Sequence, residues 1–516
     1  MLVQEFLENS AECYPDKIAL VCEGLCLTYA EIEASANRLA HAMIDHGVQR
    51  GDRVAIYLNN SVGAVIGIFA TLKAGGVIVP INATTKAEKL AYLLNNCRAT
   101  ALLVDRKRAG IAESMLVACP SVKFTVLCGP GLKTVDLNAV TAPVNPHLLD
   151  FWALQIAYPG HRPPCVTIDL DLACLIYTSG TTGDPKGVMS DHGNVVFASG
   201  SIMQYLGNVP DDVVINVLPL SFDYGLYQLF MTFRFGGRLV LESSFAYPAA
   251  ILQQMACERV TGFPGVPTIF AMLLRMDLSP YDLSSLRYLT NTAAALPTSH
   301  IQELRDKFHW ARLYSMYGLT ETKRTLYLPP EQLDRRPGSV GIAIPGTEVW
   351  LEDDKGVHLE ANQVGELVVR GRHVMRGYWE DPVASAERFR PGPLPGERLC
   401  YTGDLFSKDE EGYLYFIGRK DDIIKSRGEK VSPKEVENVL YGLKGIVEAA
   451  VIGVQDPILG QAVKAVIVPN GTGLTETVVL AHCRLHLEDY MVPKYVEFRC
   501  ELPKTASGKI KKTALS

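Results

Sequence analysis

The sequence has few of the features that mark a zinc-binding, secreted or membrane-spanning protein. Its 12 cysteines are scattered and form no C-x-x-C pair, so the ligand spacing of a zinc site is absent. The longest apolar run, Val62 to Leu72, ends at Lys73 and is too short to cross a bilayer. The N-terminus lacks the basic stretch and apolar core of a signal peptide. We therefore expect no integral membrane segment and, because unpaired cysteines suit a reducing compartment, a cytoplasmic location.

Excess charge of either sign is also lacking. The 516 residues include 50 Lys and Arg against 56 Asp and Glu, which gives a net charge of −6. This mildly acidic balance argues against nucleic acid as a main partner. Hydrophobic residues make up 48% of the chain, which is enough for several domains with large cores.

Strand-like and helical segments alternate through the first part of the chain. Arg53–Leu58 resembles a strand, Val65–Lys73 shows a helical pattern, and Gly75–Pro80 again resembles a strand. Such alternation predicts an α/β fold in which helices cover a parallel sheet. Residues 139–166 carry several prolines without a clear period, which predicts an irregular connection.

The pattern changes toward the C-terminus. Residues 365–404 indicate a β-rich section, and the sequence Ser432-Pro-Lys-Glu435 is typical of a helix start, with proline at the first helical position. Alternating strand and helix signals after it indicate a small α+β unit. The predicted division is a large domain at 1–418, a hinge at 419–421 and a small mobile domain at 422–516.

A loop rich in glycine and hydroxyl residues follows the apolar run Leu172–Ile176. It is not the G-x-x-x-x-G-K-[ST] phosphate loop, because Pro185 stands in place of the second glycine. Taken alone, the loop could be a surface turn. Free backbone N–H groups, hydroxyl donors and a lysine nevertheless suit a phosphate chain. The candidate phosphate-binding residues are Thr178, Ser179, Gly180, Thr181, Thr182, Gly183 and Lys186.

The string from Thr178 to Gly187 resembles the signature of the AMP-forming adenylating enzymes, which include acyl-CoA synthetases, amino-acid adenylation domains and luciferases. Four further strings match the family's motifs in order and spacing: Tyr317–Glu321, Tyr401–Asp404, Gly418–Asp421 and Pro503–Lys509. The resemblance covers essentially the whole chain. It implies a large N-terminal domain of parallel, helix-covered sheets with a β-barrel-like section, hinged to a small α+β C-terminal domain.

The resemblance also implies roles for the residues of the second motif. Tyr317 offers a flat face for adenine, Thr320 binds a phosphate oxygen, and Glu321 holds Mg²⁺ against the nucleotide phosphates. We therefore expect Thr320 and Glu321 to act in catalysis, with Glu321 as the metal ligand.

The later motifs supply the remaining roles that the resemblance implies. Asp404 and Arg419 would bind the ribose, and Asp421 would be the hinge. Lys509 would reach from the small domain to the carboxylate and the α-phosphate, where a cation stabilises the charge that develops in the transition state. Gly428 would lie at the thiol channel after the small domain has rotated.

The chemistry implied by this resemblance has two half-reactions. A carboxylate and MgATP give an acyl adenylate and pyrophosphate, and a thiol then displaces AMP to give a thioester. Positioning and electrostatics dominate such catalysis. The expected cofactors are ATP and Mg²⁺. The acceptor would be CoA or a separate phosphopantetheinyl carrier protein that acts in trans.

The family draws its acyl pocket from three segments, which here surround Asp223, 289–294 and 316–325. Phe222-Asp223 matches the position at which amino-acid adenylation domains bind the α-ammonium, and this favours an amino acid. Arg324 would either neutralise Asp223 or bind a second carboxylate on the substrate. The candidate pocket residues are Asp223, Tyr224, Tyr227, Asn291, Met316 and Arg324.

Another resemblance favours a different acid. Segments 220–226, 290–297 and 327–337 resemble the acyl-CoA ligases associated with bacterial exosortase systems. Ala293-Ala294 departs from the double glycine often found in such ligases, which narrows the floor of the pocket. We predict an acyl-CoA synthetase, with a stand-alone amino-acid adenylation enzyme as the alternative.

Overall fold

The structure is a computed structural model. It describes residues 1–129, 147–178, 185–292, 294, 296–426, 429–456, 460–471, 473–505 and 510–515. The predicted site residues Ser179, Gly180, Thr181, Thr182, Gly183, Gly428 and Lys509 lie outside these ranges.

Helices and strands alternate through the first 317 residues. The helices are α1 (Glu5–Cys13), α2 (Tyr29–Asp45), α3 (Val62–Lys73), α4 (Ala87–Asn96), α5 (Ala109–Ala118), α6 (Phe151–Ala157), α7 (His192–Leu206), α8 (Asp223–Phe235), α9 (Pro248–Cys257), α10 (Pro267–Leu274) and α11 (Thr298–Lys307). The strands are β1 (Ile18–Cys22), β2 (Leu25–Thr28), β3 (Arg53–Tyr57), β4 (Val77–Pro80), β5 (Ala99–Asp105), β6 (Phe124–Cys128), β7 (Leu148–Asp150), β8 (Leu172–Thr178), β9 (Lys186–Asp191), β10 (Val213–Asn216), β11 (Arg238–Leu241), β12 (Gly262–Gly265), β13 (Tyr288–Asn291) and β14 (Arg312–Tyr317).

The rest of the chain is richer in strands. It contains β15 (Leu326–Leu328), β16 (Ser339–Ala343), β17 (Glu348–Glu352), β18 (Val364–Arg370), β19 (Phe389–Pro391), β20 (Arg398–Lys408), β21 (Leu414–Arg419), β22 (Ile424–Ser426), β23 (Glu429–Val431), β24 (Ile446–Asp456), β25 (Gly460–Pro469) and β26 (Tyr495–Phe498). Its helices are α12 (Pro382–Arg388), α13 (Pro433–Tyr441) and α14 (Glu476–His486).

Two largely parallel sheets form the first part of the fold. One has the strand order β7-β6-β5-β3-β4-β8-β9, with only its β8–β9 pair antiparallel among the described pairings. In the other, β10 to β14 run parallel to one another, and β1 and β2 form its far edge. The predicted α/β fold class is confirmed.

Helices α3 and α8 lie in the largest hydrophobic cluster, where every residue of α3 except Gly63 is buried. Phe69 of α3 stacks on Phe233 of α8, with ring centroids 5.4 Å apart. Burial of each such side chain contributes about 1.5–3 kcal/mol. Lys73, at the end of α3, is buried against Glu8 and Glu33, with N–O distances of 2.5 and 2.9 Å. This packing holds α8, the helix that begins at Asp223, against α3.

The β-rich section is continuous with the second sheet. Strand β15 pairs with β14, and the order continues through β16, β21, β20, β18 and β17 in antiparallel pairs. This section therefore projects directly from the strand that ends at Tyr317.

The expectation of an irregular connection at 139–166 is wrong for part of that range. Strand β7 and helix α6 lie within it. Asp150 caps α6 by accepting a hydrogen bond from the Ala153 N–H at 2.9 Å, and Phe151 and Trp152 are buried. The prolines of this stretch lie on either side of α6, at 143 and 146 before it and at 159, 163 and 164 after it, so they do not interrupt the helix.

Candidate active site

Several predicted site residues lie at one edge of the second sheet. Strands β13 and β14 are parallel and pair Asn291 with Ser315, so Met316 and Tyr317 extend just beyond Asn291. Asp223 begins α8, which follows β10 of the same sheet. The carboxyl ends of parallel strands meet at one edge, and ligands of α/β proteins bind there.

Tyr317, Asp404 and Arg419 form one hydrogen-bonded group. The Tyr317 hydroxyl donates to Asp404 Oδ2 at 2.6 Å, and Arg419 Nε donates to Asp404 Oδ1 at 2.9 Å. Asp404 and Arg419 are directly opposite each other on β20 and β21. Burial, followed by the Asp404 carboxylate, raises the pKa of Tyr317 well above its ordinary value, so the phenol remains a donor. A carboxylate has about four acceptor positions, which leaves room for ribose hydroxyls.

Glu321 and Lys186 are linked through Tyr378. The Tyr378 hydroxyl donates to Glu321 Oε1 at 2.6 Å, and Lys186 Nζ lies 5.4 Å from the centroid of the Tyr378 ring. Lys186 Nζ also lies 3.5 Å from Asp381 Oδ2. The guanidinium of Arg388 supplies a further positive charge beside Glu321 and Tyr378. The structure thus places the predicted phosphate-binding lysine near the predicted metal ligand.

The extended segment 375–379 fixes this arrangement. The Met375 N–H donates to the Glu321 carbonyl at 3.0 Å, and the Arg376 N–H donates to the Met189 carbonyl at 3.0 Å. The Trp379 N–H donates to the Gly187 carbonyl at 2.7 Å. One segment therefore bonds to strand β9, which begins at Lys186, and to the turn that carries Glu321.

The ends of the glycine-rich loop are held together. Thr178 and Lys186 are paired residues of the antiparallel strands β8 and β9. Both side chains are half-buried. The turn that follows β14 carries Thr320, which is also half-buried. Asp421 lies exposed in a turn after β21, where the Asp422 N–H donates to the Arg419 carbonyl at 3.0 Å.

All six candidate pocket side chains are buried. The Tyr224 hydroxyl lies 2.6 Å from Thr290 Oγ1, and Arg324 Cζ lies 4.4 Å from the centroid of the Tyr224 ring. Asp223 Oδ1 accepts a hydrogen bond from the Tyr224 N–H at 3.0 Å. Within the described part of the chain, no nitrogen of Arg324 lies within 4.0 Å of a carboxylate oxygen, so Arg324 does not neutralise Asp223 by direct contact.

The sequence reasoning missed four residues at this site. Tyr378 and Arg388 adjoin Glu321, Lys323 adjoins Tyr227, and Tyr205 places its hydroxyl 2.9 Å from Met316 Sδ. The string Gly377-Tyr378-Trp379 indicated only a β-rich section. Lys323 immediately precedes Arg324, a predicted pocket residue, and this adjacency was the feature of the sequence that could have identified it.

Two absences bear on metals and membranes. Over the ranges that the structure describes, no three His, Cys, Asp or Glu side chains form a group able to hold a metal ion. In the same ranges, no helix has the length and hydrophobicity needed to cross a bilayer. A single carboxylate such as Glu321 suits Mg²⁺, which commonly takes one or two carboxylates together with substrate phosphates.

Comparison with known proteins places this site in a family. The model of the AMP-binding enzyme family matches residues 7–379, and the model of the AMP-binding enzyme C-terminal domain matches residues 435–509. The chain belongs to the AMP-binding enzyme family.

Individual relatives define the class more closely. The chain is 32% identical to a long-chain-fatty-acid–CoA ligase of Bacillus subtilis (strain 168), over 98% of this chain and 93% of that protein. It is 34% identical to a feruloyl-CoA synthase of Amycolatopsis sp, over 97% of this chain and 96% of that protein.

Solved structures agree with this class. The anthranilate CoA ligase AuaEII in complex with anthranoyl-AMP has a TM-score of 0.90 and 28% identity, over 100% of this chain and 96% of that chain. The o-succinylbenzoate CoA synthetase MenE of Bacillus subtilis, in complex with ATP and a magnesium ion, has a TM-score of 0.83 and 28% identity, over 98% of each chain. The predicted adenylating-enzyme family and acid–thiol ligase class are confirmed.

Proposed function

We propose that this protein activates a carboxylic acid with ATP, releases pyrophosphate, and transfers the acyl group from the acyl adenylate to the thiol of CoA. The observation that carries this proposal is the contact between separate motifs, in which Tyr317, Asp404 and Arg419 form one group. Glu321, Tyr378 and Lys186 form a second group beside it. The names of the relatives support CoA as the acceptor.

The first half-reaction needs the nucleotide held in line with the attacking carboxylate. Asp404 and Arg419 bind the ribose, and the ring of Tyr317 lies against the adenine. Thr178, Thr320 and Lys186 contact the phosphates, as would the loop residues Ser179 to Gly183. Lys509 stabilises the charge that develops between the carboxylate and the α-phosphate.

Glu321 is the proposed Mg²⁺ ligand. Its Oε1 already accepts the Tyr378 hydroxyl, which orients the carboxylate and leaves acceptor positions for the ion. The ion would neutralise charge on the departing pyrophosphate. Tyr378 acts through Glu321 and is therefore a positioning residue.

The second half-reaction uses the proposed small domain. We place its boundary at 419–421, with Asp421 as the hinge and Gly428 at the thiol channel. Separate cores support this boundary, because one hydrophobic cluster includes Leu414 and Phe416 and another includes Ile424. The Ser432 hydroxyl donates to the Ile417 carbonyl across the boundary and accepts the Glu435 N–H at 3.3 Å, which caps α13.

A cytoplasmic location is also part of the proposal. All 12 cysteines are free of disulfides, and seven of them are buried. Unpaired cysteines in such number fit a reducing compartment.

The alternative is an enzyme that activates an amino acid and loads a carrier protein. It is favoured by the buried carboxylate of Asp223, which accepts a hydrogen bond from the backbone N–H of Tyr224. An α-ammonium at Asp223 would satisfy the remaining acceptor positions.

The test is a pyrophosphate-release assay with ATP, Mg²⁺ and panels of fatty, aromatic, dicarboxylic and amino acids. Mass spectrometry then follows the acyl adenylate after addition of CoA or of a phosphopantetheinylated carrier. We expect pyrophosphate release that depends on the acid and thioester formation that depends on CoA. Absence of acid-dependent pyrophosphate release across the panels would refute the proposal.

A further inference from the structure

Two adjacent cations are buried beside the predicted acyl pocket. Lys323 is 1% exposed and Arg324 is 5% exposed. Lys323 Nζ lies 5.8 Å from the centroid of the Tyr227 ring, and Arg324 Cζ lies 4.4 Å from that of Tyr224. Both tyrosines belong to α8, so the two cations face the helix that begins at Asp223.

The backbone after the Tyr317–Glu321 motif holds these side chains in place. The Thr325 N–H donates to the Tyr317 carbonyl at 2.9 Å and closes a turn. Lys323 adopts φ +58° in this turn, a conformation uncommon for a residue other than glycine. A Cβ at Gly318 would lie 1.9 Å from the Lys323 carbonyl oxygen, so the turn is tightly packed against its own start.

Neither cation has an acidic partner within the ranges that the structure describes. No carboxylate oxygen lies within 4.0 Å of Lys323 or Arg324. Lys323 Nζ also has no hydrogen-bond partner there, and Arg324 Nη1 donates to the Lys323 carbonyl at 3.1 Å. A buried ammonium without an acceptor is costly.

Lys73 shows how this chain treats a buried lysine that has only a structural role. It is 4% exposed on the same measure, but its Nζ lies 2.5 Å from Glu8 Oε1 and 2.9 Å from Glu33 Oε1. Lys323 has no such pair. Lys323 therefore lacks, among the described residues, the kind of partner that Lys73 has, and an anionic ligand would supply it.

The balance of charge and of donors points to an anion. Two buried carboxylates, Asp223 and Asp191, lie close enough to raise the pKa of Tyr227. Asp191 is already paired with Arg372, with an N–O distance of 3.1 Å, so Asp223 is the carboxylate left to face the two cations. The buried Tyr227 hydroxyl has no partner in the described ranges and adds another donor. If Asp223 rotated toward Lys323, the positive charge of Arg324 would still have no anionic partner among the described residues.

The nucleotide phosphates do not account for these cations. Glu321 is bonded to Tyr378 and lies beside Lys186 on the phosphate side. Lys323, two residues later, instead lies against Tyr227 of the acyl pocket. The turn therefore directs its acidic residue toward the phosphates and its basic residues toward the acyl group.

We propose that the acid activated by this enzyme carries a second carboxylate, which Lys323 and Arg324 bind while the first carboxylate is adenylated. The substrate class is thus the dicarboxylic acids. This inference rests on the proposed function. Lys323 and Arg324 are assigned to substrate binding, and the reacting atoms remain those of the first carboxylate and the α-phosphate.

The first experiment uses the unaltered enzyme. Aliphatic and aromatic diacids are each compared with their monomethyl esters, which keep the carbon chain and one free carboxylate but lose the second charge. Pyrophosphate release gives kcat/KM for each. We expect at least one diacid to exceed its ester by about tenfold or more, the factor that one charge-assisted hydrogen bond provides.

The second experiment uses Lys323→Met, with the exposed Lys355→Met as a matched control. We expect Lys323→Met to remove at least about nine-tenths of the diacid kcat/KM, mainly through KM, and to leave the ester within about twofold. Lys355→Met should change neither. ATP binding and thermal unfolding of the variants report whether they fold.

The outcomes separate the inference from the proposed function. Equal use of diacids and esters by the unaltered enzyme overturns the inference but leaves an acid–CoA ligase. Equal loss of both substrates in a folded, ATP-binding Lys323→Met enzyme also overturns it. If that variant does not fold, the comparison of diacids with their esters on the unaltered enzyme alone tests the inference. Absence of pyrophosphate release with every acid refutes the proposed function itself.

Discussion

Substitution of Tyr378 by phenylalanine tests whether Glu321 must be oriented to hold the metal. The change removes only the hydroxyl that donates to Glu321 Oε1 at 2.6 Å and keeps the ring beneath Lys186. Burial, followed by the Glu321 carboxylate, raises the pKa of Tyr378, so the hydroxyl stays protonated and donates throughout the assay range.

The magnitude follows from the kind of bond that is lost. A hydrogen bond to a charged group contributes about 1.5–3 kcal/mol. That range corresponds to a loss of about 10- to 100-fold if the bond is fully used in the transition state. We expect Tyr378→Phe to lower kcat/KM for acid-dependent pyrophosphate release by this factor. It should also raise the Mg²⁺ concentration needed for half-maximal rate.

The control is Tyr158→Phe, which removes a hydroxyl that donates to Asp45 Oδ2 at 2.7 Å at an exposed position of the N-terminal part. The assay is pyrophosphate release at several Mg²⁺ concentrations, with thermal unfolding of each variant as a reference. If Tyr378→Phe matched Tyr158→Phe in rate and in Mg²⁺ dependence, the link between Tyr378, Glu321 and the metal would be wrong.

Three further predictions concern the small domain and pH. Lys509→Ala should lower acid-dependent pyrophosphate release by about 100-fold or more, but spare capture of a supplied acyl adenylate by the thiol; equal loss of both contradicts the role. Asp421→Pro should slow thioester formation more than pyrophosphate release, whereas Asp421→Ala should not, because it leaves the backbone free to rotate; the two half-reactions are measured separately, and equal effects of the two variants exclude a hinge. Burial lowers the pKa of His192 to about 4, so between roughly pH 6.5 and 4 the unfolded chain binds more protons. The free energy of unfolding should therefore decrease, by up to about 1.4 kcal/mol per pH unit, as the pH is lowered through this window. His192→Gln should reduce that slope in denaturant titrations at several pH values, and an unchanged slope refutes the assignment.

The family motifs predicted much of the proposed nucleotide side of the site. Asp404 and Arg419 are 15 residues apart, and the hairpin of β20 and β21 brings them opposite each other. Tyr317, identified by the motif Tyr317–Glu321, ends a strand of the second sheet. These residues were predictable because the family resemblance includes their motifs, and their contacts form because each lies at a strand end or on a local hairpin.

Tyr378 and Arg388 could not be found in the same way. Their position depends on pairing between segment 375–379 and residues near 187–189, about 190 positions earlier in the chain. Periodicity within a window reports which face of a segment is buried, and contains no information on its distant partner. Helix α6 was missed because prolines on both sides of it obscured a short helix that Asp150 caps.

Lys323 was not predicted as a pocket residue because its burial depends on its backbone conformation. Its φ of +58° and its burial follow from the turn that closes at Thr325. A lysine in a polar string is otherwise expected at the surface. The adjacent Arg324 was predicted for the pocket because the family resemblance includes its position, and the structure confirms that it is buried.

Segment 375–379 determines how a substitution outside the proposed nucleotide site can affect the residues in it. Its backbone bonds to both the Glu321 turn and strand β9, so one segment holds the proposed metal ligand and the proposed phosphate-binding lysine in place. Gly377, at φ +130°, lies in the middle of this tie, and an added Cβ would lie 3.0 Å from Ser385 Oγ. A side chain at that position would displace both groups together, and the proposed phosphate and metal binding would then be lost through a residue that contacts neither ligand.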